Sequence, residues 1–271
     1  MHRLLGRSER CNMSKGLIWP PGAKIRQKPI RGGAMLYDTS RAGNADASWF
    51  DPIWWSGRGS IGESPEGRGS ALFIDADGRQ LVLRQYRRGG MVANFTKNRY
   101  LWQGGSRTRS FSEWHLLYIM RHAALAVPIP IAACYRRTGL YTYTASLLTE
   151  LIPNVTSLAS RLGAAPVPFM MWVEIGRALR RFHNEGVCHA DLNAHNIMLN
   201  DGPEMWLVDF DRGTLRRPGL WCDSNLVRLR RSIEKITDVL PADRFSDADW
   251  ASLLSGYFAG ASQPAADLSL A

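Results

Sequence analysis

The pattern of hydrophobic and polar positions divides the chain into a first half that favours strands and a second half that favours helices. Between Trp49 and Tyr86 the pattern predicts β-structure. Residues 71–75 and 80–86 are predicted as two strands joined by a turn over 76–79, where Asp77-Gly78 is a strong hairpin signal. A helix follows, beginning at Ser110 or Ser112 and ending near residue 122. Two further strands are predicted at 131–136 and 140–151.

The second half has helical spacing. Residues 169–184 are predicted as an amphipathic helix, because apolar or small residues recur every three or four positions: Phe169, Val173, Gly176, Leu179 and Phe182. Gly186 is expected to end this helix. A hairpin is predicted around 200–202, and later helices are predicted to begin near Asn225 and Asp247.

Breaks in these patterns predict three regions. Residues 1–34 are basic, rich in Gly and Pro and without periodicity, which is typical of a disordered leader. Residues 35–152 are predicted to form an N-terminal lobe. Ile152-Pro153-Asn154 interrupts the last strand pattern and is the expected hinge, so that 153–271 form a C-terminal lobe.

Composition narrows the classes of protein that fit these elements. Hydrophobic residues make up 45% of the 271 residues, enough for a packed core. The net charge of +10 indicates an anionic partner, which can be nucleic acid, an acidic membrane surface or a phosphorylated or carboxylated substrate. The four cysteines form no C-x-x-C pair, which argues against a zinc or dithiol motif and fits the cytoplasm. Neither a bilayer-spanning segment nor a signal peptide is predicted.

The strongest chemical signal is the segment His189-Ala-Asp-Leu-Asn-Ala-His-Asn196, followed by a short apolar strand and then Asp209-Phe-Asp. It matches the H-x-D-x-x-x-x-N … D-F pattern of kinases. Phosphoryl transfer needs a carboxylate near the attacking hydroxyl and oxygen ligands that hold Mg²⁺ against the phosphates of ATP. Asp191 is therefore the predicted catalytic base, and Asn196 and Asp209 are the predicted metal ligands. The predicted fold is α+β and protein-kinase-like, with two lobes: a small β-rich N-terminal lobe and a mainly helical C-terminal lobe.

The first lobe supplies candidates for nucleotide binding. Gly67 and Gly69 are the glycines expected to lie close to the phosphates, although the stretch does not spell G-x-G-x-x-G. Strand alternation puts Val82 and Arg84 on one face, where Val82 is expected to face adenine and Arg84 the phosphates, replacing the usual lysine.

The cation at Arg84 needs an acidic partner. Glu113 is the only acidic residue between Arg84 and Glu150, and it lies in the helix where kinases carry that partner. An Arg84–Glu113 ion pair is therefore predicted. The alternative is an exposed Arg84, with Glu113 paired to Arg109 four residues earlier.

Three stretches resemble the 3-deoxy-D-manno-octulosonic acid (Kdo) kinase family, the lipopolysaccharide core kinases of Gram-negative bacteria. They are Val82–Gly90, His189–Asn196 and Val208–Gly213. The resemblance implies transfer of the γ-phosphate of ATP to the 4-OH of a Kdo sugar on lipid A. It also implies peripheral association with the cytoplasmic side of the inner membrane. The basic residues between 84 and 109 fit such an anionic glycolipid. No nucleic-acid partner and no obligate protein partner is indicated.

Other functions remain open from the residues alone. A protein kinase is disfavoured because no Ala-Pro-Glu motif follows Asp211, and an aminoglycoside kinase because a polycationic substrate favours an acidic site. The intact residues Asp191, Asn196 and Asp209 argue against a lipid-binding pseudokinase. A nucleic-acid binder would rest on charge alone.

Overall fold

The computed structural model describes residues 19–58, 61–62, 71–86 and 100–259. These residues form two compact units. The N-terminal unit comprises the described residues up to 119 together with 128–152, and the C-terminal unit comprises 120–127 and 153–259. Each unit has its own secondary structure and is described separately.

The N-terminal unit is built on an antiparallel sheet with the strand order β1-β2-β7-β8-β5-β4-β3, and with β6 paired to β8. Apolar side chains from β2, β5, β7 and β8 form its core, including Met35, Leu81, Leu83 and Leu148. The strands in the described part of this unit are β1 Ile25–Ile30, β2 Gly33–Asp38, β3 Ile61–Gly62, β4 Ala71–Ala76, β5 Arg79–Gln85, β6 Tyr100–Leu101, β7 Pro130–Arg137 and β8 Thr142–Glu150.

The hairpin predicted between β4 and β5 is confirmed. Asp77 and Gly78 both have positive φ angles, 54° and 83°. Two successive left-handed residues are typical of the type I′ turn, whose twist matches that of the flanking strands. The turn aligns Ala71 with Arg84 and thereby sets which residues of β5 face each side of the sheet.

Two expectations for this unit are wrong. The disordered leader predicted over 1–34 includes β1, which pairs with β2 from Ile25↔Asp38 to Ile30↔Gly33, while residues 1–18 lie outside the described part. The sequence is misleading there because β1 is a mostly exposed edge strand whose hydrogen-bond partners lie on β2. Within the β-region expected from Trp49, Pro52–Ser56 forms a helix, since Asp51 caps it and proline occupies its first turn.

Three α-helices accompany the sheet in the described residues: α1 Thr39–Ala42, α2 Pro52–Ser56 and α3 Arg109–His122. Helix α3 begins one residue before the predicted range. Ser110 at its start donates a hydrogen bond from its hydroxyl to the carbonyl of Cys134 on β7, at 2.8 Å. Phe111 and Trp114 are buried on the same helix, which fixes α3 and the residues it carries against the sheet.

The C-terminal unit is mainly helical. Its α-helices are α4 Leu158–Ala164, α5 Phe169–Asn184, α6 Trp221–Thr237 and α7 Asp247–Ala259. Helix α5 has the predicted ends. It approaches α7 closely at two glycines: a Cβ added to Gly176 would lie 1.9 Å from the Leu253 carbonyl oxygen, and one added to Gly256 would lie 2.0 Å from that of Val173. Larger residues at either position would force these helices apart.

Short strands of the C-terminal unit frame the predicted catalytic loop. They are β9 Thr156–Ser157, β10 Val187–Cys188, β11 Ile197–Leu199, β12 Met205–Leu207 and β13 Thr214–Leu215. The predicted hairpin around 200–202 is confirmed as β11–β12, with Ile197 opposite Leu207. The fold class predicted from the sequence, an α+β chain with a β-rich N-terminal part and a mainly helical C-terminal part, is confirmed.

Candidate active site

Asp191 lies in the loop between β10 and β11, and its side chain is 68% exposed. Its backbone is tightly held. The backbone N–H of Asp191 donates to Nδ1 of His189 at 3.2 Å, and its carbonyl accepts from Nδ2 of Asn196 at 2.9 Å and from Nδ2 of Asn193 at 3.1 Å. A fixed backbone that carries an accessible carboxylate is the arrangement a general base needs.

His189 anchors the start of this loop. It is buried, and Nε2 lies 3.0 Å from the carbonyl of Val208. Because Nδ1 accepts from Asp191, Nε2 is the nitrogen that donates, which defines a neutral imidazole. Burial lowers the pKa of His189, although the Val208 carbonyl and the carboxylates of Asp209 and Asp191 act in the opposite direction. His189 therefore works as an uncharged support for the loop.

Asn193 and Asn196 shape the end of the loop. Oδ1 of Asn193 accepts hydrogen bonds from the backbone N–H groups of His195 and Asn196, at 2.9 and 3.2 Å, and so caps a short 3₁₀ turn. Asn196 is 9% exposed and uses Nδ2 on the Asp191 carbonyl. Its Oδ1 is then the atom with the lone pairs that a cation would need.

Asp209 is the second residue after β12 and is exposed. Its φ angle is 61°, in the left-handed region that non-glycine residues seldom adopt. The backbone N–H of Val208 donates to the carbonyl of Asn196 at 3.0 Å, which holds the end of β12 beside the end of the catalytic loop. Asn196 is thus joined to Asp191 by a side-chain hydrogen bond and to Val208, the neighbour of Asp209, by a backbone hydrogen bond, all within one unit.

The donor chemistry of this group suits Mg²⁺. A carboxylate and an amide oxygen are hard oxygen ligands, and Mg²⁺ at kinase sites usually takes only one or two protein ligands besides phosphates and waters. Among the described residues there is no cluster of three or more His, Cys, Asp or Glu side chains, the kind of set that would form an all-protein metal cage. The residues present therefore fit an ion that is completed by nucleotide phosphates.

Helix α6 supports the catalytic loop, a feature that the motif did not indicate. Nδ2 of the buried Asn225 donates to the carbonyl of His189 at 3.0 Å, and Oγ of Ser232 accepts from the backbone N–H of Ala194 at 3.2 Å. Between them Arg228 places Nη1 3.7 Å from Oδ1 of Asp191. Positions 225, 228 and 232 are three and four residues apart, so their side chains lie on one helical face. This spacing is the feature of the sequence from which the shared face could have been predicted.

The predicted Arg84–Glu113 ion pair is confirmed within the N-terminal unit. Nη2 of Arg84 contacts Oε2 of Glu113, which is 3% exposed, whereas the Arg84 side chain is 23% exposed. Tyr86 was not foreseen: its hydroxyl donates to the same Oε2 at 2.5 Å, and the Arg84 guanidinium lies 4.8 Å from the centre of its ring. Burial, and next the Glu113 carboxylate, raise the pKa of Tyr86 well above its usual value, so the phenol remains a donor.

The remaining predicted residues have different outcomes. Val82 and Arg84 lie on the face of β5 opposite the buried Leu81 and Leu83, as strand alternation predicted. Gly67 and Gly69 lie outside the described residues.

Comparison with known proteins identifies a matching family, similar sequences and a similar solved structure. A profile of the Lipopolysaccharide kinase (Kdo/WaaP) family matches residues 53–257. A 3-deoxy-D-manno-octulosonic acid kinase of Xylella fastidiosa (strain 9a5c) is 47% identical over 207 residues, which are 76% of this chain and 82% of the relative. The enzyme of the same name from Xanthomonas campestris pv. campestris (strain B100) is 47% identical over 75% of this chain and 81% of its own length. A solved structure of WaaP in complex with acyl carrier protein aligns with a TM-score of 0.48 and 20% identity over 77% of this chain and 87% of that chain.

Proposed function

Because the chain belongs to the lipopolysaccharide kinase (Kdo/WaaP) family, we propose that it transfers the γ-phosphoryl group of ATP to the 4-OH of a Kdo sugar on lipid A. The family match confirms the resemblance that was stated from the motifs. The observation that carries the proposal for this chain is the hydrogen-bonded loop that presents the Asp191 carboxylate beside Asn196 and Asp209.

Asp191 is the residue proposed to accept the proton of the attacking hydroxyl. Its carboxylate is accessible, while its backbone is held by His189, Asn193 and Asn196. A base fixed in this way loses little orientational freedom when the acceptor binds, which lowers the entropic part of the barrier. The proton moves from the sugar hydroxyl to Asp191 as the hydroxyl oxygen bonds to the γ-phosphorus and the bond to the ADP oxygen breaks.

Asn196 and Asp209 are the residues proposed to hold Mg²⁺. When bound, the ion neutralises charge that develops on the phosphate oxygens. The chain contributes the positions of the two ligands. Asn196 is oriented through its hydrogen bond to the Asp191 carbonyl, and Asp209 through the strained backbone that ends β12.

Arg84 is proposed to bind the phosphates of ATP, and Val82 to contact adenine. The Glu113 carboxylate and the Tyr86 ring fix the direction of the Arg84 guanidinium. Arginine replaces the lysine of protein kinases here, and its planar fork suits the pairing of two oxygens at once. Gly67 and Gly69 remain the candidates for the loop that covers the phosphates.

One assay tests the reaction. The purified chain is incubated with ATP and Mg²⁺ and separately with Kdo-lipid A, a generic peptide and an aminoglycoside, and each product is weighed by mass spectrometry. A gain of one phosphate on Kdo-lipid A alone is expected. Phosphorylation of another acceptor would instead favour a small-molecule or protein kinase. ATP binding without transfer to any acceptor would favour a pseudokinase.

Peripheral binding to the anionic cytoplasmic side of the inner membrane is also proposed, through the tip of the β7–β8 hairpin. Leu140 and Tyr141 at this tip are 77% and 74% exposed, and Leu101 on the adjoining β6 is 66% exposed. Arg137 donates to the carbonyl of Leu140 at 2.6 Å, and the Arg109 guanidinium lies 4.6 Å from the centre of the Tyr100 ring on β6. Between residues 100 and 149 the only carboxylate is that of Glu113, which is buried against Arg84. Exposed apolar tips with surrounding cations suit an anionic bilayer surface. No described helix is long and apolar enough to cross a bilayer.

Flotation with vesicles of phosphatidylethanolamine and phosphatidylglycerol tests this surface. A variant with both Leu140→Glu and Tyr141→Glu is expected to lose most vesicle binding, because two charges would enter the apolar zone. Ile53→Glu is the matched control, since Ile53 is 79% exposed in the same unit but lies away from the hairpin tip in sequence. Equal flotation of the hairpin variant and the native chain would contradict the proposed surface.

A further inference from the structure

We propose that Arg228 binds the carboxylate of the acceptor sugar and makes the enzyme selective for an acidic sugar. This assignment rests on the proposed function, because it takes Asp191 as the group that meets the acceptor hydroxyl. It names Arg228 as a specificity-determining residue, which neither the motif nor the family comparison assigns.

The first observation is the position of the guanidinium. Nη1 of Arg228 lies 3.7 Å from Oδ1 of Asp191, and the two side chains are 55% and 68% exposed. An ion pair so open to water contributes little to stability. The contact therefore contributes little to the stability of the fold. The N–H groups of the Arg228 side chain are accessible to a solute.

The second observation is that Arg228 projects from a braced part of its helix. Asn225, three residues earlier, donates to the carbonyl of His189, and Ser232, four residues later, accepts from the backbone of Ala194. These two bonds join α6 to both sides of Asp191 in the chain. The backbone of Arg228 is therefore held in a constant position relative to the proposed base. A residue that determines substrate specificity needs such a fixed position.

The third step is chemical. A base must approach the hydroxyl it deprotonates to about 2.6–3.2 Å. In Kdo the carboxylate is attached to ring carbon 2, and one ring carbon separates that position from the carbon bearing the 4-OH. A cation beside the base is thus within reach of the carboxylate of the same sugar. Arginine can grip both carboxylate oxygens through two parallel N–H groups, which fixes the ring as well as attracting it.

Arg228 is better placed than its neighbouring cations to bind the acceptor carboxylate. The next arginine along the helix, Arg230, is engaged with Glu234 at 2.7 Å and Asp247 at 2.6 Å. The loop itself offers no cation next to the base, because Asn193 stands where most protein kinases carry lysine. Among the cations that contact described residues of the loop, Arg228 is the one paired with Asp191.

The test compares a soluble Kdo glycoside with its methyl ester, which has the same hydroxyls but no negative charge. For the native chain, kcat/KM for the acid is expected to exceed that for the ester by roughly 10- to 100-fold, the usual range for a charge-assisted contact. Arg228→Gln is expected to process both acceptors at about the rate of the ester, with the KM for ATP unchanged. Arg228→Lys should restore part of the preference. Arg231→Gln, an exposed arginine on the same helix, is the control and should keep the preference in full.

Three results would overturn the assignment. A fall in kcat that is equal for acid and ester would mean that Arg228 acts on the phosphoryl group instead. An unchanged preference in Arg228→Gln would reduce the residue to a surface ion pair. Native enzyme that phosphorylates neither Kdo compound, but does phosphorylate another acceptor, would refute the proposed function and this assignment with it.

Discussion

Arg84 and Glu113 form an ion pair that joins strand β5 to helix α3, with the Glu113 carboxylate almost fully buried. Glu113→Gln is expected to raise the KM for ATP and to lower kcat, because it releases the guanidinium from its fixed direction. It should also lower the free energy of unfolding by about 3 kcal/mol, the low end for breaking a buried pair, since Arg84 is partly exposed. Enzyme kinetics and urea unfolding measure these effects.

A double-mutant cycle separates this nucleotide-binding role from a general loss of packing. The double variant Arg84→Ala, Glu113→Ala should lose much less kcat/KM for ATP than the sum of the two single losses, because each single change already disrupts the same ion pair. Tyr86→Phe is the matched control: it removes the hydroxyl that donates to Glu113 but keeps the ring. If the losses in kcat/KM are small or simply add, Arg84 and Glu113 do not bind the phosphates as a pair, and another cation must hold them.

Asp191→Asn keeps the shape of the loop and removes the proposed base. We expect kcat to fall by about 10²–10⁴-fold, the usual contribution of a positioned base, while the dissociation constant of ATP stays close to the native value. Rapid-quench kinetics and nucleotide titration give the two quantities. Turnover near the native level would be incompatible with the assigned role.

Asp209→Asn tests the metal ligand. Because hard cations prefer charged oxygens, the Mg²⁺ concentration needed for half-maximal ATP binding should rise, and kcat should fall with it. Asp211→Asn, two residues along the same segment, is the comparison and should change Mg²⁺ dependence much less. Identical Mg²⁺ titrations for the native chain and Asp209→Asn would exclude Asp209 as a ligand.

Asn225→Ala tests the support of the catalytic loop by α6. Removing the donor to the buried His189 carbonyl should lower the free energy of unfolding by about 1–3 kcal/mol. It should also lower kcat about 10- to 100-fold, as expected when a base is displaced by about 1 Å, with little change in the KM for ATP. The exposed neighbour Ser224→Ala should do neither. A loss of stability with native kcat would mean that α6 does not position Asp191.

The pH dependence of stability should reflect His183. Burial lowers its pKa from 6.5 to about 4, and its Nδ1 lies 2.7 Å from the Tyr257 hydroxyl. Below pH 6.5 the unfolded chain binds a proton that the folded protein does not bind until about pH 4. Stability therefore falls as the pH decreases through this window, by up to about 1.4 kcal/mol per pH unit for this group. His189, with a pKa also lowered by burial, acts in the same direction.

Urea titrations at pH 7 and pH 5.5 measure this slope. His183→Gln should make it flatter, whatever its effect on absolute stability, because the titrating group is gone. His122→Gln, at an exposed position, is the control. An unchanged slope in His183→Gln would show that His183 does not contribute to the acid lability.

Features encoded locally were predicted well from the sequence. Helix α5 begins and ends where the apolar stripe does, because a repeat of three to four residues depends only on helical geometry. Asp191 and Asn196 share one short loop, so their proximity follows from a spacing of five residues. Alternation along β5 put Val82 and Arg84 on one face, and the scarcity of acidic residues then left Glu113 as the partner.

Tertiary packing decided the rest. Arg84 and Glu113 are 29 positions apart, and Asn225 and His189 are 36 apart, so their contacts exist only once sheet and helices have buried their apolar faces. For the same reason the sequence did not reveal β1, an edge strand stabilised by its partner β2, or the position of Arg228 beside Asp191. The amino-acid sequence thus specified the chemical groups of a kinase and the local elements that carry them. Long-range burial and hydrogen bonding determined which of those groups meet, because these terms repay the entropy of ordering distant segments only in the folded chain.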